Sequence, residues 1–85
     1  MKEVEFTQIA YEQLQEWKKL DKKVYEKIAL LITAIQENPH KGIGKPEPLK
    51  HEFARYWSRR INKEHRLIYK ITHNTIIVFA CKFHY

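Results

Sequence analysis

The chain has 85 residues, of which 44% are hydrophobic and 31% charged, which is enough for one globular domain and unlike a disordered segment. No apolar run approaches the roughly 20 residues of a membrane span, and the first residues lack the apolar core of a signal peptide. The single cysteine, Cys81, excludes an internal disulfide framework, so we expect a cytoplasmic protein.

The net charge of +6 is concentrated in the middle of the chain. Residues 1–40 carry six basic and seven acidic side chains, whereas residues 41–70 carry nine basic and three acidic ones. All four arginines lie in the short segment from Arg55 to Arg66. A one-sided basic segment favours a polyanionic partner, nucleic acid above all, over a generic basic surface or an acidic protein partner.

The first forty residues predict a strand followed by two helices. Residues 2–6 alternate as a short strand does, and Thr7 is a suitable N-cap for a helix. Asp21 is a second N-cap, and the apolar residues after it recur at helical spacing until Asn38-Pro39, where the proline disfavours helical backbone. Because the two helices are nearly continuous, we expect a helical hairpin that packs against a sheet.

Residues 40–52 form a long predicted loop that contains both glycines and two of the three prolines. Pro46 and Pro48 restrict the backbone on either side of Glu47, which can hold that side chain in a fixed direction. A loop of this length in a small domain favours a functional role. Prolines that only stiffen a connection are an equal alternative.

Three strand-like runs complete the chain, at residues 53–61, 65–71 and 75–83. The predicted order of elements is therefore β-α-α-β-β-β. We predict an α+β fold in which an antiparallel sheet packs against the helical hairpin. The apolar residues expected on one face of the first two runs are Phe53, Trp57 and Ile61, then Leu67, Tyr69 and Ile71.

Basic and aromatic side chains interleave between residues 53 and 69. Arginine binds phosphate through its planar fork and aromatic rings stack on unpaired bases, so this composition favours single-stranded RNA. Trp57 is an exception, because its alternation with Phe53 and Ile61 favours a place in the core. Arginines on neighbouring strands repel each other unless an anion lies between them.

The last strand ends at His84 and Tyr85. Histidine exchanges protons near neutral pH, so this pair could act on a phosphate beside the arginines, although an exposed strand end is the commoner explanation. The five histidines lack the spacing of zinc ligands, and Cys81 is expected to be a buried strand residue. We therefore predict neither a metal site nor a cofactor.

RNA can be cleaved without a metal when a base takes the proton of a 2′-OH, an acid protonates the departing 5′ oxygen, and cations stabilise the phosphoryl oxygens. Strict alternation through two-residue turns would put Arg66 and His84 on opposite faces of the sheet. A bulge, a longer turn or a curled chain end is therefore required if both are to contact one phosphate. The available groups are Glu47 or a histidine as base, His84 as acid, and Arg66, Arg60 and Lys50 as cations.

Three segments, residues 44–51, 56–69 and 80–85, together resemble the YoeB family of toxins. The resemblance extends over nearly the whole chain and implies a single RelE-like toxin domain over residues 1–85. It implies translation-dependent cleavage of mRNA in the A site of the bacterial ribosome, and a YefM-like antitoxin that neutralises the toxin. A homodimer is an open alternative to a monomer, and no membrane partner is expected.

The same resemblance implies roles for individual residues. Glu47 would be the general base and His84 the general acid, while Arg66 would stabilise the pentacovalent phosphate. Tyr85 would position the substrate, and the products would be a 2′,3′-cyclic phosphate and a 5′-OH. The residues predicted to bind substrate phosphate are Lys50, Arg60, Arg59 and His65.

Two other functions remain as alternatives. A non-catalytic ParE-like toxin directed at gyrase would not be expected to combine a glutamate, an arginine and a terminal His-Tyr pair. A plain RNA- or ribosome-binding module would keep its function after loss of Glu47 and His84, and would lose it with the arginines.

Overall fold

The computed structural model describes residues 2–83. This part of the chain begins with a strand and two helices and continues with four strands and a short 3-10 helix. None of the helices in residues 2–83 combines the length and apolarity needed to cross a lipid bilayer. The elements are β1 (Glu3–Phe6), α1 (Gln8–Leu20), α2 (Lys22–Glu37), β2 (Glu47–Pro48), the 3-10 helix (His51–Phe53), β3 (Trp57–Arg60), β4 (Arg66–Thr72) and β5 (Thr75–Phe83).

The two helices begin and end at capping residues. The Thr7 hydroxyl accepts a hydrogen bond from the Ala10 amide (3.1 Å) at the start of α1. Asp21 separates the helices, because its amide donates to the Trp17 carbonyl at the end of α1 and its carboxylate accepts from two amides in the first turn of α2. Both predicted helices and their caps are confirmed.

The five strands form one sheet in the order β1-β5-β4-β3-β2. β3, β4 and β5 pair antiparallel in chain order, as predicted. β2 pairs antiparallel with β3 inside the segment predicted as a loop, so the loop prediction is wrong at these two residues. β1 instead pairs parallel with β5, so the sheet is mixed. The helical hairpin separates β1 from the other strands in sequence, so no tight turn imposes an antiparallel pairing on it. The predicted α+β architecture is confirmed, with this parallel edge as an addition.

The main core lies between the helical hairpin and the sheet. Trp57 packs against it, which confirms the interpretation of that residue as a core residue. Burial of apolar side chains at roughly 25 cal/mol per Å² is the dominant stabilising contribution. The buried residues are Ala10, Trp17, Val24, Ile28, Leu31, Ile35, Ile61, Leu67, Tyr69, Ile76, Val78 and Cys81.

A smaller apolar cluster covers the opposite face of the sheet. It contains Ile68 of β4, with side chains from β5 and from the segment around the 3-10 helix, among them Phe53. The 3-10 helix interrupts the alternation assumed for residues 53–61, so β3 begins only at Trp57. Phe53 and Trp57 consequently lie on opposite faces, and the prediction that they share a face is wrong.

Candidate active site

Two neighbouring rows of the sheet bring polar side chains together on the face that carries the smaller cluster. Glu47 of β2 pairs with Ser58 of β3, and Ser58 pairs in turn with Ile68 of that cluster. In the next row, Arg60 of β3 pairs with Arg66 of β4. Paired residues of antiparallel strands point to the same face, as do residues two apart along one strand. The register therefore places these four polar side chains on one face.

The four side chains and Lys45 line a cavity of about 190 Å³, called here the first cavity. Glu47 is the carboxylate among these lining residues, and it lies beside three cations. A proton acceptor next to cations that can hold phosphoryl oxygens is the set of groups that phosphodiester cleavage requires. The structure thus brings together Glu47, Arg60 and Arg66, three of the predicted site residues.

Arg60 and Arg66 face each other directly across β3 and β4. Like charges in this position repel each other. Nη1 of Arg66 donates to the backbone carbonyls of Asn62 and His65 at 2.9 and 3.2 Å, which orients its guanidinium. The Arg60 side chain makes no hydrogen bond or ion pair within residues 2–83. The Arg66 guanidinium is thus held in place, and the Arg60 guanidinium opposite it keeps its donors for a ligand. This arrangement suits a bound anion.

Lys45 reaches the first cavity because of the glycine before it. Gly44 has a φ of 85°, a left-handed conformation that other residues rarely adopt. A Cβ at Gly44 would lie 2.8 Å from Cδ2 of Leu31, too close for an undisturbed fit. The Gly44 carbonyl accepts a 2.7 Å hydrogen bond from the Arg60 amide. This bond joins the loop to β3 beside the cavity.

Arg59 is buried on the helix side of the sheet and is 0% exposed. Its guanidinium donates to the carbonyls of Asn38, Lys41 and Ile43 at 2.6, 3.0 and 3.1 Å. Its Nε donates to the Tyr69 hydroxyl at 3.2 Å. Arg59 therefore fastens the loop after α2 to the sheet, and the prediction that it binds substrate phosphate is wrong.

His65 also lies on the helix side of the sheet. Its ring packs edge-on against Trp17 of the main core, with 5.0 Å between the ring centroids. Its side chain does not line the first cavity. The ring is packed on the opposite face from the first cavity, and the predicted phosphate contact of His65 stays a prediction.

Lys50 is exposed and lies outside the first cavity. It is the residue before the 3-10 helix, on the same loop as Glu47. Its long side chain has no hydrogen-bond or ion-pair partner among residues 2–83 and could reach a substrate that extends beyond the cavity. Its predicted phosphate contact stays a prediction.

The end of β5 departs from regular pairing with β4. Tyr69 pairs with Val78, whereas Arg66 pairs with Phe83, so β5 uses two more residues than β4 over the same span. Such register shifts are the kind of irregularity that the alternation of side chains required. His84 and Tyr85 lie outside the described residues, so the roles predicted for them stay predictions.

Side chains of α1 bind the backbone of β5 where its ladder is irregular. Oε1 of Gln13 accepts hydrogen bonds from the amides of Cys81 and Lys82 at 2.8 and 3.1 Å. The Trp17 indole donates to the Cys81 carbonyl at 2.8 Å, and Lys82 forms a 3.2 Å ion pair with Glu16. These contacts replace ladder hydrogen bonds and fix the direction in which β5 ends.

Cys81 is packed in the main core, as predicted, and is 0% exposed. Its thiol donates to the Ala10 carbonyl at 3.5 Å. Burial, and to a lesser extent the charge of Glu16, raises the pKa of the Cys81 thiol to about 12. A thiol with this pKa is not a nucleophile at neutral pH.

The sequence predictions omit two residues of the first cavity, Lys45 and Ser58. The available signal for Ser58 was its spacing of two from Arg60, which puts both on one face of a strand. Lys45 lies in a loop, where alternation does not apply. Its backbone is left-handed, with a φ of 48°, and follows the closely packed Gly44.

Comparisons with known proteins identify the family of the chain. A family model of the YoeB-like toxin of bacterial type II toxin-antitoxin systems matches residues 6–85. The chain is 46% identical to Toxin YoeB of Synechocystis sp. over 82 residues, which cover 96% of this chain and 95% of that protein.

Two solved structures from Staphylococcus aureus share the fold. A YoeB dimer has a TM-score of 0.92 at 43% identity, covering 98% of this chain and 97% of that chain. A YoeB-YefM complex has a TM-score of 0.91 at 41% identity, covering 100% of this chain and 99% of that chain. The chain therefore belongs to the YoeB-like toxins of bacterial type II toxin-antitoxin systems.

Proposed function

We propose that this toxin is a ribosome-dependent endoribonuclease that cleaves mRNA in the ribosomal A site. The observation that carries the proposal is the first cavity, where Glu47 lies beside Arg60, Arg66 and Lys45. A proton acceptor among several cations suits phosphodiester cleavage. The net charge of +6 suits a target rich in RNA, such as the ribosome.

In the proposed reaction, Glu47 takes the proton of a ribose 2′-OH, and the 2′ oxygen attacks the adjacent phosphorus. The bond from phosphorus to the 5′ oxygen of the next nucleotide breaks, and His84 gives that oxygen a proton. Tyr85 positions the substrate. The products are a 2′,3′-cyclic phosphate and a 5′-OH, and the substrate is RNA because the nucleophile belongs to the ribose.

Arg66 is the proposed stabiliser of the charge that develops on the phosphoryl oxygens. The carbonyls of Asn62 and His65 hold its guanidinium before substrate arrives, so the group is preorganised. Arg60 and Lys45 add positive charge around the same cavity. A bound phosphate also relieves the repulsion between the two facing arginines.

A YefM-like antitoxin is the proposed neutralising partner, since a Staphylococcus aureus relative with this fold has been solved as a YoeB-YefM complex. A homodimer is a further proposed assembly, since another relative from that species is a YoeB dimer. Lys50, exposed on the loop that carries Glu47, is proposed to contact RNA phosphate outside the first cavity.

The proposal is tested by single-turnover cleavage of mRNA on programmed ribosomes with Arg66→Ala. We expect the chemical step to slow by about 3 kcal/mol, on the order of 100-fold, which is typical of losing one preorganised charge-stabilising group. Arg55→Ala is the control, because Arg55 is exposed and does not line the first cavity. An unchanged rate for Arg66→Ala would remove Arg66 from the mechanism.

A further inference from the structure

A second cavity of about 400 Å³ adjoins the first. The two cavities share three cationic side chains, Lys45, Arg60 and Arg66. An anion in the second cavity would therefore contact side chains that also face an anion in the first. The residues that line the second cavity alone are Lys27, Gly44, Ile61, Asn62 and Lys63.

The second cavity is strongly positive. Two further lysines, Lys27 and Lys63, join the three shared cations, and no aspartate or glutamate is among the lining residues. Within residues 2–83, Lys82 and Glu16 form the one ion pair, and it lies outside this cavity. Five like charges around one cavity repel each other, and a bound anion would lower that repulsion.

Lys27 is the residue that distinguishes this cavity from an ordinary basic surface. It lies on α2, far in sequence from β3 and β4, which carry the arginines. The packing of α2 on the sheet brings Lys27 to the second cavity. Lys27 is partly buried, whereas the neighbouring Lys22 and Lys23 are exposed. A partly buried lysine that lines a cavity suits recognition of a phosphate as a point charge.

We propose that the second cavity binds the phosphodiester next to the cleaved one on the same RNA strand, with Lys27 and Lys63 as its own ligands. This inference rests on the proposed function, since it assigns the cleaved phosphate to the first cavity. The shared cations are the reason for assigning both phosphates to one strand: consecutive phosphates of a single strand can both contact Arg60 and Arg66, with the second extending to Lys27.

The first test measures binding of a trinucleotide that cannot be cleaved because its 2′ hydroxyls are methylated. Its two phosphodiesters are replaced in turn by a neutral methylphosphonate. We expect one of the two replacements to weaken binding of the trinucleotide to the unaltered toxin about fivefold, which is the size of one exposed charge contact. The same replacement should change the affinity of the Lys27→Ala protein less than about twofold. Lys22→Ala is the matched control from the same helix and should behave like the unaltered toxin.

An equal loss in Lys27→Ala and the unaltered toxin, or no loss in either, would overturn the subsite. Binding too weak to measure with the unaltered toxin at low salt would overturn it as well, since five cations around one cavity should hold a phosphate under those conditions.

The second test uses ribosomes programmed with mRNA that carries the same methylphosphonate beside the cleavage position. If Lys27→Ala slows cleavage of native mRNA but not of modified mRNA, the result supports the subsite. If Lys27→Ala slows cleavage of both mRNAs equally, Lys27 contacts ribosomal RNA and the proposal is overturned. If trinucleotides bind as expected but native mRNA stays intact, the subsite stands and the proposed cleavage fails.

Discussion

Replacing Arg59 with methionine removes the contacts that fasten the loop after α2 to the sheet. Three carbonyls and the Tyr69 hydroxyl lose their donor. A hydrogen bond to a charged group contributes about 1.5–3 kcal/mol, but water can reach part of the loop and the cost of burying the guanidinium disappears. We expect a net loss of about 3–4 kcal/mol in the free energy of unfolding.

That loss is large for this chain, because a domain of 85 residues is stable by roughly 4–13 kcal/mol. Urea denaturation measures it directly, and the midpoint should fall by roughly 2–3 M. Arg60→Met is the matched control, because the neighbouring Arg60 is exposed and faces another arginine. It should leave stability unchanged or slightly raised. An Arg59→Met protein within 1 kcal/mol of the unaltered toxin would refute the reasoning about the buried guanidinium.

Three further outcomes are expected. Burial raises the pKa of the Cys81 thiol to about 12, so the thiol stays protonated in the folded protein at a pH where it ionises in the unfolded chain. The stability that this neutral thiol contributes is complete below about pH 9. Above pH 9 the free energy of unfolding falls by about 1.4 kcal/mol per pH unit. Chemical unfolding from about pH 8 to pH 10 should show the beginning of this loss, and Cys81→Ala should lack it. The range stops at about pH 10 because burial also raises the pKa of Tyr69 above its usual value. Gly44→Ala should lower stability by roughly 1–3 kcal/mol and slow cleavage, because the added Cβ meets Leu31 beside Lys45; denaturation and single-turnover cleavage that both match the unaltered toxin would contradict this. Gln13→Leu should increase hydrogen exchange of the Cys81 and neighbouring amides and reduce the single-turnover rate more than RNA binding; unchanged exchange would show that Gln13 does not hold β5.

Local rules were sufficient for the helical part of the fold. Thr7 and Asp21 are strong caps and Pro39 stops α2, so each boundary depends on residues close in sequence. The parallel pairing of β1 with β5 could not be predicted in the same way, because it joins segments about seventy residues apart. The 3-10 helix at His51–Phe53 was not predicted either, because its first two residues belong to the predicted loop and Phe53 to the predicted strand that follows.

Three of the predicted site residues meet where the loop adjoins β3 and β4, and their catalytic roles stay predictions. Glu47, Arg60 and Arg66 converge on one cavity. Alternation would have assigned Arg59 to the core face, since it lies two residues from Trp57 and two from Ile61. The basic character of the segment favours phosphate binding, whereas its periodicity favours burial of Arg59, and the structure agrees with the periodicity.

The same rule applies to His65. It lies two residues before Leu67, which faces the main core. Residues two apart in a strand share a face, so alternation places His65 on the helix side of the sheet. Its ring packs there against Trp17. Lys27 could not be inferred from sequence, because the packing of α2 on the sheet brings it beside the arginines.

The most direct test of the proposed cleavage is a primer-extension map of one mRNA, made with and without programmed ribosomes, that compares the unaltered toxin with His84→Gln. We expect cuts at the A-site codon only when ribosomes are present, and we expect them to vanish with His84→Gln. An unaltered toxin that binds ribosomes yet leaves the mRNA whole would contradict the claim that this chain is an endoribonuclease.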